Sequence, residues 1–124
     1  MDEKVIASCH CGSVELELRL PNGFDPRRCN CSICRRKGAI VSSVLIDNLK
    51  VLKGEDVLTL YQFNTKAAKH YFCSICGIYT HHQRRSNPKE FSFNTACIEG
   101  FKAEDHADPH LIDGINHIKD TKEQ

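Results

Sequence analysis

The stretch Val14-Glu15-Leu16-Glu17-Leu18-Arg19-Leu20 alternates apolar and polar side chains without interruption. Successive side chains of a β-strand point to opposite faces, so this pattern predicts a strand with one buried face that ends at Pro21-Asn22-Gly23. Shorter apolar or β-branched runs follow, separated by turn residues, at 40–46, 49–52, 57–63, 69–72 and 90–96. With no long helical period between them, these runs predict an all-β fold of antiparallel sheets.

The chain length sets the domain organisation. A chain of 124 residues fits one domain, and we expect it to cover 1–124 with a core of about 5–118 and a frayed tail over 119–124. A β-domain of this size often needs a staple beyond its hydrophobic core.

Charge and hydropathy exclude several kinds of partner. The 17 basic and 16 acidic residues give a net charge of +1, so no global field favours nucleic acid or an anionic membrane. No apolar run is long enough to span a bilayer. Residues 1–4 lack the basic start and apolar stretch of a secretory signal, and we therefore expect a cytoplasmic protein.

Eight cysteines in 124 residues are several times the ordinary usage. Four disulfides would suit a small secreted domain, but a reducing cytosol disfavours them. Clustered cysteines in an intracellular chain are more often metal ligands, and their spacing favours zinc over buried, unliganded thiols.

Two short cysteine pairs can form one closed metal site. Structural zinc takes four ligands in a tetrahedron, and Cys9 with Cys11 could supply two sulfurs while Cys73 with Cys76 supply the others. A glycine directly follows each pair and suits the positive φ that such turns often need. The sequence predicts a structural zinc at these four residues, which would staple distant parts of the chain together.

A second cluster, Cys29, Cys31 and Cys34, has three sulfurs within six residues and leaves a fourth metal position unspecified. An open fourth position is typical of catalytic zinc, because it can take water or substrate. The alternative is that Cys97, or a histidine among His10, His81 and His82, closes the site as a second structural one. Spacing alone leaves both interpretations open.

A basic run surrounds this second cluster. Five cations lie between Arg27 and Lys37, and they include Arg35 and Arg36 directly after the last cysteine. These side chains could bind the carboxylates of an anionic thiol substrate. They could equally form a solvated face or balance the negative charge of the thiolates.

The order of the motifs resembles a known family. The motifs are Cys9-x-Cys11-Gly12, then Cys29-x-Cys31-Ser32-x-Cys34-Arg35-Arg36, then Tyr71-Phe72-Cys73-x-x-Cys76-Gly77-Ile78. This order is similar to that of the glutathione-dependent formaldehyde-activating enzymes, a family that includes centromere protein V. The similarity continues through His81-His82 and Arg85-Ser86-Asn87-Pro88 to Asp113-Gly114-Ile115-Asn116-His117.

The resemblance implies a β-tent fold stapled by zinc, with two zinc ions per chain. It implies that Cys9, Cys11, Cys73 and Cys76 hold the structural zinc and that Cys29, Cys31 and Cys34 hold a catalytic one. The implied activity is that of a carbon-sulfur lyase that acts on the adduct of glutathione, or a similar thiol, with formaldehyde. In that reaction His81 or Tyr79 would protonate the new alkoxide, and Arg35 and Arg36 would bind glutathione. The alternative is a non-catalytic zinc module for protein or nucleic-acid interaction, although the chain has neither a basic tail nor an aromatic platform for nucleic acid.

Overall fold

The computed structural model describes residues 3–21, 25–102 and 109–115, and these ranges are built mostly of β-strands. The strands are β1 (Glu3–Ser8), β2 (Glu15–Leu20), β3 (Arg27–Cys29), β4 (Val41–Leu45), β5 (Leu49–Lys53), β6 (Leu58–Tyr61), β7 (Lys69–Cys73), β8 (Tyr79–Gln83), β9 (Glu90–Asn94) and β10 (His110–Ile112). A six-residue helix, α1 (Ser32–Lys37), follows β3, and short 3₁₀ turns cover 46–48, 55–57 and 95–97. No helix within the described ranges is long and apolar enough to cross a membrane.

The strands form two sheets. The smaller sheet has the order β1-β2-β5, and the larger has the order β10-β3-β4-β9-β8-β7-β6. Neighbouring strands are antiparallel except for β10, which runs parallel to β3 at the edge of the larger sheet. That exception brings the chain after β10 to the same edge as the chain after β3.

The core is centred on β2. Leu16, Leu18 and Leu20 are almost completely buried, as the alternation along this strand predicts. They pack in one cluster with Val44 and Phe93 from the larger sheet. Each such side chain contributes about 1.5 to 3 kcal/mol by leaving water. Since the cluster also includes two of the cysteines, the first predicted metal site lies at the edge of this core.

The structure confirms the predicted all-β fold of antiparallel sheets. Strands β2, β4, β6 and β9 lie within the runs that the sequence identified, and β5 and β7 each extend one residue beyond theirs. The pattern did not anticipate β1, β3, β8, β10 or α1. Strands β1 and β8 lack an alternating apolar pattern, and three-residue strands and a six-residue helix are too short to show a period. The predicted frayed tail, 119–124, lies outside the described residues.

Candidate metal centres and active site

The four cysteines of the first predicted metal site come from two tight turns between strands. Cys9 and Cys11 lie in the turn between β1 and β2, and Cys73 and Cys76 lie at the turn between β7 and β8. Their four Sγ atoms all lie within 4.8 Å of one another. The fold therefore brings together two pairs that are more than sixty residues apart, and all four thiols are free of disulfide bonds.

Both turns have the same backbone design. The N–H groups of Cys9 and Cys73 each donate to the carbonyl oxygen five residues further on, at 3.1 and 3.0 Å. The N–H groups of Gly12 and Gly77 donate back to the first cysteine of the turn, at 3.2 and 2.8 Å. These glycines have φ values of 80° and 78°, a conformation that costs a side-chain residue energy. The positive φ expected from the sequence is confirmed at both glycines.

The sulfur spacing in this cluster fits a tetrahedral metal ion. The Sγ atom of Cys11 lies 3.7 Å from the Sγ atoms of both Cys9 and Cys73. Sulfurs at about 2.3 Å from a tetrahedral zinc would be separated by about 3.8 Å. Hydrogen bonds from the backbone of Cys11 and Ile78 lower the pKa of the Cys76 thiol to about 6, which favours the thiolate that binds metal. The four residues can therefore form a closed, four-coordinate site.

The second cluster lies where β3 passes into α1. Cys29 ends β3, Cys31 is the N-cap residue of the helix, and Cys34 lies in its first turn. Their three Sγ atoms lie within 4.8 Å of one another, so this group could also hold a metal ion. Hydrogen bonds from Cys29 and Cys34 lower the pKa of the Cys31 thiol, which makes Cys31 the first of the three to ionise.

This three-cysteine cluster forms one wall of a pocket of about 90 Å³. The opposite walls come from the larger sheet and from the chain that follows β8. The polar side chains around the pocket are those of Lys37, Asn64, Thr65, His70, Tyr79, His82, Arg84, Arg85, Ser86 and Ser92. The second cluster thus faces a cationic cavity.

Lys37 is the cation whose position in the pocket is best defined. Its Nζ atom lies 2.7 Å from His70 Nδ1 and 3.6 Å from the centre of the Tyr79 ring, the distance of a cation–π contact. Among the described residues no carboxylate lies within ion-pair distance of it. Burial lowers the pKa of Lys37 to about 8, and the charges of the three thiols partly oppose that shift. Lys37 therefore presents a proton-donating cation to the cavity.

Two histidines and a tyrosine support this lysine. The rings of His70 and His82 stack at 4.9 Å, and the Tyr79 hydroxyl lies 2.6 Å from His82 Nδ1. Burial lowers the pKa of His70 to about 4 and that of His82 well below its usual value, so both rings are neutral at pH 7. Burial also raises the pKa of Tyr79 well above its usual value. The phenol therefore keeps its proton and forms a hydrogen bond with His82.

The two predicted proton donors lie on different faces of the larger sheet. His81 is buried, hydrogen-bonded to Thr80 Oγ1 at 2.9 Å and stacked on Tyr71 at 4.8 Å, and it does not line the pocket. Simple alternation would place Tyr79 on the same face as His81. The β7–β8 pairing, however, shifts register between Tyr71 and Phe72, and this irregularity adds a residue to β8 and breaks the alternation. Of the two predicted donors, only Tyr79 reaches the cavity.

The predicted glutathione-binding arginines lie outside the pocket. Arg35 and Arg36 are exposed at the end of α1, and Arg36 donates a hydrogen bond of 2.8 Å to the carbonyl oxygen of Ser32. Arg84 and Arg85 line the cavity instead. The sequence offered a signal for them, because they follow His81-His82-Gln83 closely. The basic run after the cysteines was the more conspicuous feature, but its two arginines do not line this pocket.

Cys97 belongs to neither sulfur group. It lies in the 3₁₀ turn 95–97 and packs against the hydrophobic core, with its Sγ atom 3.8 Å from the carbonyl oxygen of Tyr79. Burial raises the pKa of its thiol to about 11, and the nearby charges of Cys9 and Cys76 act in the same direction. The structure therefore does not bring Cys97 to the three-cysteine cluster as a fourth ligand.

Comparisons with known proteins agree with the sequence motifs. A protein of Halomonas elongata named "Putative glutathione-dependent formaldehyde-activating enzyme" is 36% identical over 78 residues, which are 56% of this chain and 49% of that protein. The matched part thus spans about half the length of that relative. A crystal structure of a Rhodobacter sphaeroides protein superposes with a TM-score of 0.83 at 53% identity, covering 86% of this chain and 99% of that one.

The family assignment rests on nearly the whole chain. Residues 4–112 match the sequence profile of a family described as glutathione-dependent formaldehyde-activating enzyme, and this range includes both cysteine clusters and almost all of the pocket. The chain therefore belongs to the glutathione-dependent formaldehyde-activating enzyme family.

Proposed function

We propose that this protein is a zinc-dependent enzyme of the carbon-sulfur lyase type. It would catalyse the reversible addition of glutathione to formaldehyde, which forms S-hydroxymethylglutathione. Two zinc ions would bind per chain, one to each cysteine cluster. The observation that carries the proposal is the opening of a three-sulfur cluster into a cavity lined by cations. Three protein ligands leave one tetrahedral position for a substrate thiol.

The two clusters would have different tasks. The four-cysteine cluster has its full set of ligands and would contribute folding free energy alone. In the three-cysteine cluster, bound zinc would supply a Lewis acid that lowers the pKa of a coordinated thiol. The rest of the chemistry falls to the side chains around the cavity.

Lys37 has the position needed to assist carbon–sulfur bond formation. When the thiolate sulfur attacks the aldehyde carbon, the carbonyl π electrons move to oxygen, and that oxygen takes up a proton. A cation in a confined cavity stabilises the developing charge and can donate the proton. His70 and the Tyr79 ring hold the Lys37 ammonium group in place. In the reverse reaction, Lys37 would take the proton back from the hydroxyl group of the adduct.

Arg84 and Arg85 are the candidate partners for the glutathione carboxylates. Arg84 forms an ion pair with Glu90, which fixes its guanidinium group at the wall of the cavity. Because guanidinium groups bind carboxylates through two parallel hydrogen bonds, this wall suits an anionic peptide thiol. The exposed Arg35 and Arg36 would contribute only at longer range.

Zinc K-edge absorption with and without glutathione tests the proposal directly. We expect two zinc ions per chain and a rise in the average sulfur coordination per zinc when glutathione is added. Nuclear magnetic resonance exchange measurements should then show formation of S-hydroxymethylglutathione above the spontaneous rate. Unchanged coordination and no acceleration would contradict the enzyme and favour the alternative, a zinc module for protein interaction.

A further inference from the structure

The chain after β10 lies directly against the three-cysteine cluster. β10 pairs in parallel with β3, and the last pair of this ladder is Ile112 opposite Cys29. Because parallel strands end at the same edge, residues 113–115 continue beside the segment that carries Cys29, Cys31 and Cys34. More than eighty residues of sequence separate the two segments.

Asn30, which lies between two of the cysteines, fixes this contact. Its side-chain oxygen accepts hydrogen bonds from the backbone N–H groups of Gly114, at 2.7 Å, and Ile115, at 3.1 Å. Its own backbone N–H donates to the carbonyl oxygen of Ile112 at 3.2 Å. Arg85, from the cavity wall, adds a bond of 3.4 Å to the carbonyl oxygen of Gly114. The segment is therefore held from both sides.

Gly114 approaches the cysteines too closely for any side chain. A methyl group at this position would overlap Cys29 Sγ and lie 2.7 Å from Cys31 Cβ. The backbone at Gly114 does not have the positive φ that favours glycine elsewhere in the chain. The close approach to the cysteines is thus the physical reason for glycine at this position.

We propose that residues 112–115, clamped by Asn30, form one wall of the second metal site. This wall lies against Cys29 and Cys31 and holds their sulfurs in position, and through Ile112 and Gly114 it also forms part of the cavity lining. A thiol that enters the cavity would then meet the metal between this wall and the side of Lys37 and His70. Asn30 and Gly114 are positioning residues that act through the cysteines, and the inference rests on the proposed function only in placing a metal at this cluster.

Metal affinity measured by chelator competition tests this wall independently of catalysis. We expect Asn30→Ala and Gly114→Ala to weaken binding of the second zinc about 10- to 100-fold, the usual cost of losing a residue that orients metal ligands. The first zinc should stay bound, and its retention shows that the variant is folded. The matched control is Ile115→Ala, because this side chain is 62% exposed in the same segment and should leave both affinities unchanged.

A conservative variant separates the effect of the hydrogen bonds to Asn30 from the effect of its side-chain volume. Asn30→Asp keeps an acceptor for both N–H groups, and we expect it to lose less affinity than Asn30→Ala. Wild-type affinity for the second zinc in both Asn30→Ala and Gly114→Ala would overturn the inference. The proposed function fails separately, if the wild-type protein with two zinc ions does not accelerate adduct formation.

Discussion

The same tetrapeptide, Cys-Ser-Ile-Cys, occurs at 31–34 and at 73–76 and adopts two different structures. At 73–76 it forms a tight turn between antiparallel strands, and Gly77 in the left-handed region directs the chain into β8. At 31–34 it opens helix α1, which continues through Arg35-Arg36-Lys37 and ends at Gly38 with a φ of 64°. The first glycine thus follows the tetrapeptide directly at the turn, at Gly77, and only after three further helical residues at α1, at Gly38.

The two clusters also differ in the number of sulfurs that they bring together. The turn at 73–76 meets a second turn of the same design, and the two together supply four sulfurs with none of the four positions left open. The cysteines at the start of α1 are joined by a single further cysteine of the described residues, Cys29, beside a cavity. Under the proposed function, identical local sequence would thus serve a closed site in one place and an open one in the other.

The largest expected effect comes from breaking the closed site. Replacing Cys73 by Ser should unfold the protein, because Cys73 is fully buried and a structural zinc site contributes about 10 kcal/mol or more to folding. Circular dichroism and metal analysis of the purified variant measure this. The control is Cys97→Ser, a half-buried thiol outside both clusters, which should cost only about 1 kcal/mol. A folded Cys73→Ser protein with one zinc would show that this cluster is not the staple.

Breaking the open site should abolish activity without unfolding the chain. We expect Cys34→Ser to keep its β-sheet spectrum and one zinc ion while losing the second zinc and the acceleration of adduct formation. Cys34 lies in a helix at the surface of the larger sheet, and the core cluster does not include it. Global unfolding of this variant would mean that both clusters are structural and that the contrast between them is wrong.

Removing the cavity cation should slow catalysis and leave both metal sites intact. For Lys37→Met we expect about a 100-fold lower rate with unchanged zinc content, because a positioned acid typically contributes between about 10² and 10⁴. Lys37→Arg, which keeps the charge, should lose less. Full activity in Lys37→Met would move the proton-donor role to Tyr79, the donor predicted from the sequence that lines the cavity.

The smallest effect concerns the face of β8 that points away from the cavity. Burial lowers the pKa of His81 to about 4 in the folded protein, from about 6.5 in an unfolded chain. The unfolded state therefore binds more protons, and the stabilising contribution, complete above about pH 6.5, is lost as the pH falls toward 4. Between pH 8 and pH 5.5 this loss amounts to about 1.4 kcal/mol.

A comparison of wild type with His81→Phe isolates this contribution. The phenyl ring keeps the stacking on Tyr71 and cannot titrate. When the pH falls from 8 to 5.5, the free energy of unfolding should therefore decrease by about 1.4 kcal/mol less in the variant than in the wild type. Denaturant unfolding at each pH measures the difference, since acid release of metal affects both proteins equally. Identical pH dependence would show that His81 accepts a proton in the folded protein.

The sequence predicted the parts of the site that depend on local order. Spacing alone indicated which neighbouring cysteines lie together, since residues two or three apart in a turn or helix must be close in space. The structure decided that Cys97 joins neither cluster. The pocket could not be derived in this way. Lys37, His70 and Arg84 come from α1, β7 and the chain after β8, and no periodicity links them.

The sequence by itself determined the β-fold, through the alternation along β2, and the short cysteine spacings from which both clusters are built. Only the tertiary structure decided which face Tyr79 occupies, which arginines reach the cavity and that Gly114 covers Cys29. Alternation and spacing are properties of neighbouring residues. They can be recognised in a strand or a cysteine pair without knowing where that segment lies in the fold. A register shift, a parallel edge strand and a clamp across eighty residues depend on how distant segments pack, because their hydrogen bonds exist only once both partners are in place.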